Sequence, residues 1–195
     1  MISASKIFHA LLSPLAPRQK EVVSGRFGLE RGKEAETLAA IGKRLDVTRE
    51  RIRQIEKSAL DTVRKEIAAN GGCEEILNRA KKHLKENGGV ARAENLLEHM
   101  KESVEGLTAH HLSLLLEASG SFLSHPGDKN YWPFYYLGKN EFKAASSFID
   151  SWAGYLGKQK IHVLGGYYEE SLRHFVKSKG IQRNVADAYL SISKR

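Results

Sequence analysis

Residues 37–65, TLAAIGKRLDVTRERIRQIEKSALDTVRK, constrain the fold most, because they predict two capped helices joined by a short link. Thr37 is placed to cap the first helix and Thr48 the second, with residues 46–47 between them. Each helix carries one apolar stripe at helical spacing, formed by Leu38, Ile41 and Leu45 in the first and by Ile52, Ile55, Ala59 and Val63 in the second. This pattern indicates a helix-turn-helix.

A second face of the second helix is polar and mostly cationic. On an ideal helix its members fall within an arc of roughly 140°, and they are Arg49, Glu50, Arg53, Gln54, Lys57 and Arg64. Arg and Gln reach base edges in the major groove, and Lys and Arg hold phosphates. An isolated cationic face is usually only solvated surface, but the capped helix directly upstream favours DNA binding.

The same stretch resembles region 4 of bacterial primary-type sigma factors. TLAAIGKRLDVTRERIRQIEKSAL is similar to the family pattern TL-x-E-I-G-x-x-x-x-V-T-R-E-R-(I/V)-R-Q-I-E-x-x-A-L. Upstream, LAPRQKEVVSGRFGLERG at residues 15–32 is similar to L-T-P-R-E-R-x-V-L-x-x-R-F-G-L-x-x-G. The resemblance covers about residues 13–67, and VTRERIRQIE is an unbroken match.

The resemblance implies a reader of duplex DNA. In the family the second helix reads a promoter element about 35 bases upstream of the start site, and the preceding helices dock on a flap of the RNA polymerase β subunit. It implies base reading by Arg49, Glu50 and Gln54. It implies phosphate contacts by Arg44, Arg51, Arg53 and Lys57. Arg64 is a further phosphate candidate, because it lies on the same cationic face.

Three positions depart from the family pattern. Ala16 stands where a Thr usually precedes the proline, so that helix loses a cap worth about 1 kcal/mol. Gly25, within a predicted helix, costs roughly 1 kcal/mol relative to Ala. Residues 56–59, EKSA, shift a basic residue by one position relative to the family's EAKA.

Downstream, the order of elements predicts a winged helix over residues 72–138. Residues 70–72, NGG, are expected to break the long helix. Helices over 74–87, 91–101 and 109–119 follow, with Val90 as a short strand, and then a β-hairpin from residues 121–125 and 131–137. This segment loosely resembles HARE-type winged helices. Its third helix has no Lys or Arg, which favours a protein-interaction role over DNA reading.

The predicted fold is therefore mainly α. Residues 1–70 form the sigma region 4-like helix-turn-helix domain, 72–138 the winged helix, and 139–195 a second, incomplete winged-helix-like unit. In that last segment we expect three helices and a short strand at residues 161–164. We also expect the chain to be a piece of a longer protein.

Little in the chain points to catalysis or to a cofactor. His110 and His111 are adjacent on a helix and point about 100° apart, so they cannot chelate one ion as an i, i+4 pair does. Cys73 is the only cysteine, which excludes an internal disulfide and fits the reducing cytoplasm. Five aromatic residues could offer a stacking platform for single strands but are better explained as core and inter-domain packing: Tyr131, Trp132, Phe134, Tyr135 and Tyr136. We expect no enzyme, no metal, no cofactor and no small-molecule substrate.

Charge and composition fit a cytoplasmic DNA-binding protein. Lys and Arg outnumber Asp and Glu by 14 to 9 in residues 1–70 and by 17 to 14 in the remainder. No apolar run approaches the roughly 20 residues of a membrane span.

The sequence therefore predicts a sequence-specific DNA-binding protein of bacterial transcription that also contacts RNA polymerase. Two alternatives stay open: an adaptor that docks on polymerase without a DNA site, and the targeting portion of a longer DNA-processing protein.

Overall fold

The structure is a computed structural model that describes residues 2–30, 32–158 and 167–194. These residues form ten helices and five short strands, so the predicted mainly α class is confirmed. By their contacts they divide into two compact units, residues 1–79 with 97–121 and residues 80–96 with 122–195. The predicted strand at residues 161–164 lies outside the described residues.

The first unit contains the helix-turn-helix. Its elements are β1 (Ile2–Ser3), α1 (Ala4–Leu12), α2 (Pro17–Phe27), α3 (Leu38–Arg44), α4 (Arg49–Ala69), β3 (Val104–Glu105) and α7 (Ala109–Ser119). Two further helices, α5 (Gly71–Glu86) and α6 (Ala93–Lys101), contribute residues to both units. Strands β1 and β3 pair in parallel, with Ile2 opposite Val104.

The two predicted capping residues lie at the starts of α3 and α4. Thr37 Oγ1 accepts from the Ala40 N–H at 3.1 Å, and Thr48 Oγ1 accepts from the Arg51 N–H at 3.2 Å. The link between α3 and α4 turns at Asp46, whose φ is +52°. A side chain at Gly42 would place its Cβ 2.8 Å from the Val47 carbonyl oxygen, so the tight turn requires glycine there.

Apolar residues from α2, α3 and α4 meet in one core cluster. Val22, Ile41 and Ile52 are fully buried, and partly buried hydrophobic residues pack around them: Leu38, Leu45, Val47 and Ile55. The stripes that the sequence predicts on the two helices are thus the surfaces that hold the helix-turn-helix together.

The prediction for the end of α4 was wrong in one detail. The glycines at 71 and 72 do not separate the helices, because α5 already begins at Gly71. Asn70 is the break: its side-chain oxygen accepts from the N–H groups of Gly72 and Cys73 at 3.0 and 3.2 Å. A capping asparagine satisfies the first N–H groups of α5, so the glycines can lie in its first turn.

The second unit combines a three-stranded antiparallel sheet with three helices. The strand order is β2 (Val90–Arg92), β5 (Phe134–Tyr136), β4 (Leu123–His125), and the helices are α8 (Lys139–Lys158), α9 (Tyr168–Lys179) and α10 (Arg183–Ser191). The predicted hairpin is therefore present, and β2 extends the predicted strand at Val90 to three residues.

One aromatic-rich core joins the sheet to these helices. Tyr131 and Phe134 are buried against α8, α9 and α10, together with Phe148, Trp152 and Phe175. The boundaries of the three predicted segments differ from those of the two units. They stay a prediction, because the grouping by contacts describes packing and not independent folding.

Candidate nucleic-acid interface

The side chains predicted to read bases lie exposed near the start of α4. Arg49, Glu50 and Gln54 face solvent there, and Ile52 on the opposite side is fully buried in the core. The Thr48 cap fixes where the helix begins. A helix held by its apolar side, with polar residues of its first turns exposed, has the geometry for entering a major groove.

Two hydrogen-bonded pairs orient this exposed face. Glu50 accepts two bonds from the Arg53 guanidinium, at 2.7 and 2.8 Å. Hydrogen bonding from Arg53 lowers the pKa of the Glu50 carboxyl, and the same pair raises the pKa of Arg53. Arg51 donates to the Gln54 side-chain oxygen at 3.3 Å. Both pairs are solvent-exposed, so we expect them to exchange readily for contacts to DNA.

The residues predicted to hold phosphates have different surroundings. Lys57 is exposed and makes no hydrogen bond or ion pair with any residue the structure describes. Arg44, by contrast, donates to Glu21 at 2.8 Å and to Glu36 at 2.9 and 3.2 Å. These carboxylates raise the pKa of Arg44. Lys57 is therefore better placed than Arg44 to meet a phosphate without losing an existing contact.

Gly25 makes room for the Arg44 ion pair. A Cβ at this position would lie 2.7 Å from Glu36 Oε1 and 3.0 Å from Arg44 Nη2. The Gly25 carbonyl also accepts from the Glu36 N–H at 2.8 Å. The departure from the family pattern at Gly25 thus has a local structural reason. At Ala16 the side-chain cap is absent as expected, although Gln19 accepts from the Ala16 N–H at 3.1 Å.

Arg64, the last phosphate candidate, is exposed but is hydrogen-bonded to other residues of the first unit. Its Nε donates to the Ala118 carbonyl of α7 at 2.9 Å, and its Nη1 donates to Asp61 at 3.2 Å. A guanidinium bound to carbonyls at a helix C-terminus also meets the negative end of that helix dipole. The structure therefore gives Arg64 a role in fastening α7 to α4.

The packing of α7 is the feature that sequence reasoning missed. This helix contacts both α2 and α4, and it buries Leu112, Leu114, Leu115 and Leu116. Beneath it, Arg26 Nε donates to Glu56 Oε1 at 3.0 Å in a partly buried pair. The available signal was the cluster of leucines on more than one face of α7, which indicates a helix covered on two sides.

Other kinds of site find no support in the described ranges. No group of three or more His, Cys, Asp or Glu side chains there could hold a metal ion. Burial raises the pKa of the Cys73 thiol to about 11, so the thiol is poorly suited to nucleophilic chemistry. None of the described helices combines the length and the apolar character needed to cross a membrane.

These features define a helix-turn-helix domain of the DNA-binding class, and comparison with known proteins gives its family. Residues 11–65 match the family model described as Sigma-70, region 4. The match confirms the resemblance to sigma region 4 that the motifs predicted for this segment.

Bacterial sigma factors are similar to the same segment. The chain is 51% identical over 57 residues to the RNA polymerase sigma-B factor of a Nostoc species, which is 29% of this chain and 17% of that protein. It is 52% identical over 54 residues to RNA polymerase sigma factor SigA of Clostridium acetobutylicum, covering 28% of this chain and 14% of that protein. A third relative, RNA polymerase sigma factor RpoD of Helicobacter pylori, is 49% identical over 55 residues. The chain thus spans less than a fifth of the length of these relatives. The resemblance of residues 72–138 to HARE-type winged helices stays a hypothesis.

Proposed function

We propose that this chain binds a specific promoter-type duplex element through α4 and acts in bacterial transcription in the cytoplasm. One observation carries the proposal: Arg49, Glu50 and Gln54 are exposed in the first turns of a capped helix whose other side is buried. Base reading by these residues needs only a change of partner for Gln54 and Glu50, whose present contacts are exposed.

We further propose that the chain associates with RNA polymerase through the β-subunit flap. The sigma region 4 match at residues 11–65 supports this partner, since the named relatives are RNA polymerase sigma factors. Helix α7 packs on α2 and α4 and covers part of their surface. A contact of α2 or α4 with the flap would use the faces of these helices that α7 does not cover. The proposed role is binding without catalysis, and it involves no cofactor and no small-molecule substrate.

A selection from random duplexes tests the DNA site. The whole chain is immobilised, retained duplexes are amplified over several rounds, and the enriched sequences are aligned. We expect one motif to emerge that spans the few base pairs one helix can reach in a major groove.

The alternatives give other results. An adaptor without its own DNA site would retain no duplex above background but would still bind polymerase core enzyme in a titration with the labelled chain. Duplex retention without an enriched motif would contradict sequence-specific reading. Failure to bind the core enzyme would contradict the polymerase proposal and leave the DNA proposal intact.

A further inference from the structure

One aromatic side chain of the second unit lies outside the core that its neighbours form. Tyr131 and Phe134 are buried, but the intervening Trp132 is 40% exposed. The expectation that this run of aromatics serves as core is therefore confirmed for Tyr131 and Phe134 and wrong for Trp132. An indole held at the surface offers a flat apolar face to a binding partner.

Two cations from separate parts of the unit lie over this indole. The Arg92 guanidinium carbon, on β2, is 4.7 Å from the centroid of the Trp132 ring. Lys194 Nζ is 4.6 Å from the same centroid. We call Trp132, Arg92 and Lys194 the Trp132 cluster. Sequence reasoning did not find this cluster, because no local pattern brings Arg92 and Lys194 together.

Backbone hydrogen bonds hold the cluster in place. The Trp132 N–H donates to the Ile192 carbonyl at 2.9 Å, and the Lys194 N–H donates to the Asn130 carbonyl at 2.8 Å. Asp128 Oδ1 accepts from the N–H groups of Asn130 and Tyr131 at 2.7 and 2.9 Å. A surface that is already ordered loses little conformational entropy when a partner binds.

A cleft of about 400 Å³ with a mostly apolar lining lies against Arg92. Its lining includes three asparagines, Asn87, Asn95 and Asn184. Two of them already donate one hydrogen bond each, Asn87 to the His83 carbonyl at 2.7 Å and Asn184 to the Glu86 carbonyl at 2.6 Å, so one N–H and the side-chain oxygen of each amide are left for a ligand. Amides carry both a donor and an acceptor, which is the pairing that base edges require. The cluster and the cleft therefore combine a stacking surface, positive charge and hydrogen-bonding groups.

We propose that the Trp132 cluster binds single-stranded nucleic acid: one base stacks on the indole in place of one of the two cations, and Arg92 and Lys194 hold the adjacent phosphates. Base stacking on an exposed aromatic ring requires an unpaired base, whereas a duplex offers only its edges and backbone. This site is separate from the duplex-binding face proposed on α4. The chemistry is shared by DNA and RNA, since either presents a base and a phosphate.

Both cations already have partners that compete with the proposed ligand. Lys194 Nζ donates to the Asp128 carbonyl at 2.7 Å. Glu94 accepts from Arg92 Nη2 at 2.7 Å, and its side chain is largely exposed. A phosphate must share or replace this partner. Removing the charge of Glu94 should therefore strengthen binding, which a purely structural role of the cluster does not predict.

Intrinsic fluorescence of the whole chain tests the site. The chain has two tryptophans, and Trp152 is 4% exposed, so quenching by a ligand at the surface reports on Trp132. We expect an oligothymidylate or oligouridylate of about ten nucleotides to quench this fluorescence in a salt-dependent way. Parallel titrations with the two oligomers show whether the site prefers DNA or RNA.

Variants measured by anisotropy with labelled oligomers assign the contacts. Trp132→Ala should weaken binding by about fivefold or more, Lys194→Ala should also weaken it, and Glu94→Gln should strengthen it. The matched controls are Leu123→Ala, an exposed apolar residue of β4, and Lys143→Ala, an exposed lysine of α8; neither should change the affinity. The same variants are also measured in a chain that carries Arg53→Ala and Lys57→Ala, in which we expect α4 not to bind single strands. The changes in affinity caused by the Trp132 cluster variants should persist in that chain.

Several results would overturn the proposal. These are an absence of quenching, equal losses in the cluster and control variants, or quenching by a duplex as strong as by the single strand. Quenching by polyglutamate of similar length would identify an acidic-peptide site instead. If circular dichroism shows that Trp132→Ala does not fold, Lys194→Ala and Glu94→Gln decide, and unchanged affinity in both contradicts the site.

Discussion

At the scale of single residues, α4 separates two kinds of DNA contact. Gln54 lies where a side chain can read a base edge, whereas Lys57 is an exposed cation with no partner among the described residues. Gln54→Ala should relax the sequence preference, with a loss of about 1–3 kcal/mol on the preferred site only. Lys57→Ala should weaken all duplexes to a similar degree.

Competition between the selected duplex and a scrambled duplex of the same composition measures the difference. Arg49→Ala should behave as Gln54→Ala does. An unchanged preference in Gln54→Ala would show that Gln54 does not read a base, whatever the total loss of affinity.

His111 couples the stability of the first unit to pH. Its ring stacks on Phe8 with centroids 4.3 Å apart, and its buried Nδ1 has no hydrogen-bond partner among the described residues. Burial lowers the pKa of His111 below its ordinary value. The unfolded chain then binds the proton more readily, so the stability is complete above the ordinary pKa and is lost as pH falls from that value through the lowered pKa of the folded chain.

Urea unfolding between about pH 7.5 and about pH 5.5 tests this coupling. The midpoint should fall with pH in the native chain and fall less in His111→Phe, which keeps the aromatic stack and removes the titrating group. His174→Phe, a change at an exposed histidine of α9, serves as the control and should retain the native pH dependence. Equal pH dependence in all three proteins would exclude His111 as the source.

At the scale of elements, α7 is part of the unit that presents α4. Leu115 of α7 is fully buried, and α7 packs on α4. Leu115→Ala should lower the free energy of unfolding by about 2–5 kcal/mol and should reduce duplex binding only where the unit unfolds. Leu123→Ala, at an exposed position of β4, should change stability by less than about 0.5 kcal/mol.

Chemical denaturation followed by circular dichroism gives the two values. A similar, small effect of both substitutions would show that α7 is not needed for the stability of the unit, and that α1, α2 and α3 support α4 without it.

The sequence predicts local structure well where a short-range rule applies. Thr37 and Thr48 cap the two helices as expected, and the alternation of residues 121–137 gives the hairpin. These features depend on residues a few positions apart. The base-reading candidates are likewise exposed on the predicted face, although their role in DNA binding stays a prediction.

The contacts that the sequence could not predict join residues that are far apart along the chain. The bond from Arg64 to Ala118 joins residues 54 positions apart, and Lys194 reaches a carbonyl 66 positions away. No local pattern encodes such partners. The role of Asn70 was missed for another reason: two glycines beside it are a stronger turn signal than a cap, although a capping asparagine allows both to be helical.

At the scale of the whole molecule, the chain combines a sigma region 4 domain with a second unit that has its own core. The two proposed activities belong to different units: duplex binding by α4 to the first and single-strand binding by the Trp132 cluster to the second. The matched segment makes up 17% or less of the first two named sigma factors.

The salt dependence of duplex binding tests the central claim most directly. Fluorescence anisotropy of the whole chain on its selected duplex, between about 50 and about 200 mM salt, should give a log–log slope of about −4. The double variant Arg53→Ala with Lys57→Ala should reduce the magnitude of that slope by about 2. The matched double variant Lys81→Ala with Lys82→Ala, two exposed lysines of α5, should leave the slope unchanged. A slope near zero, or the same change in both double variants, would contradict DNA binding by α4.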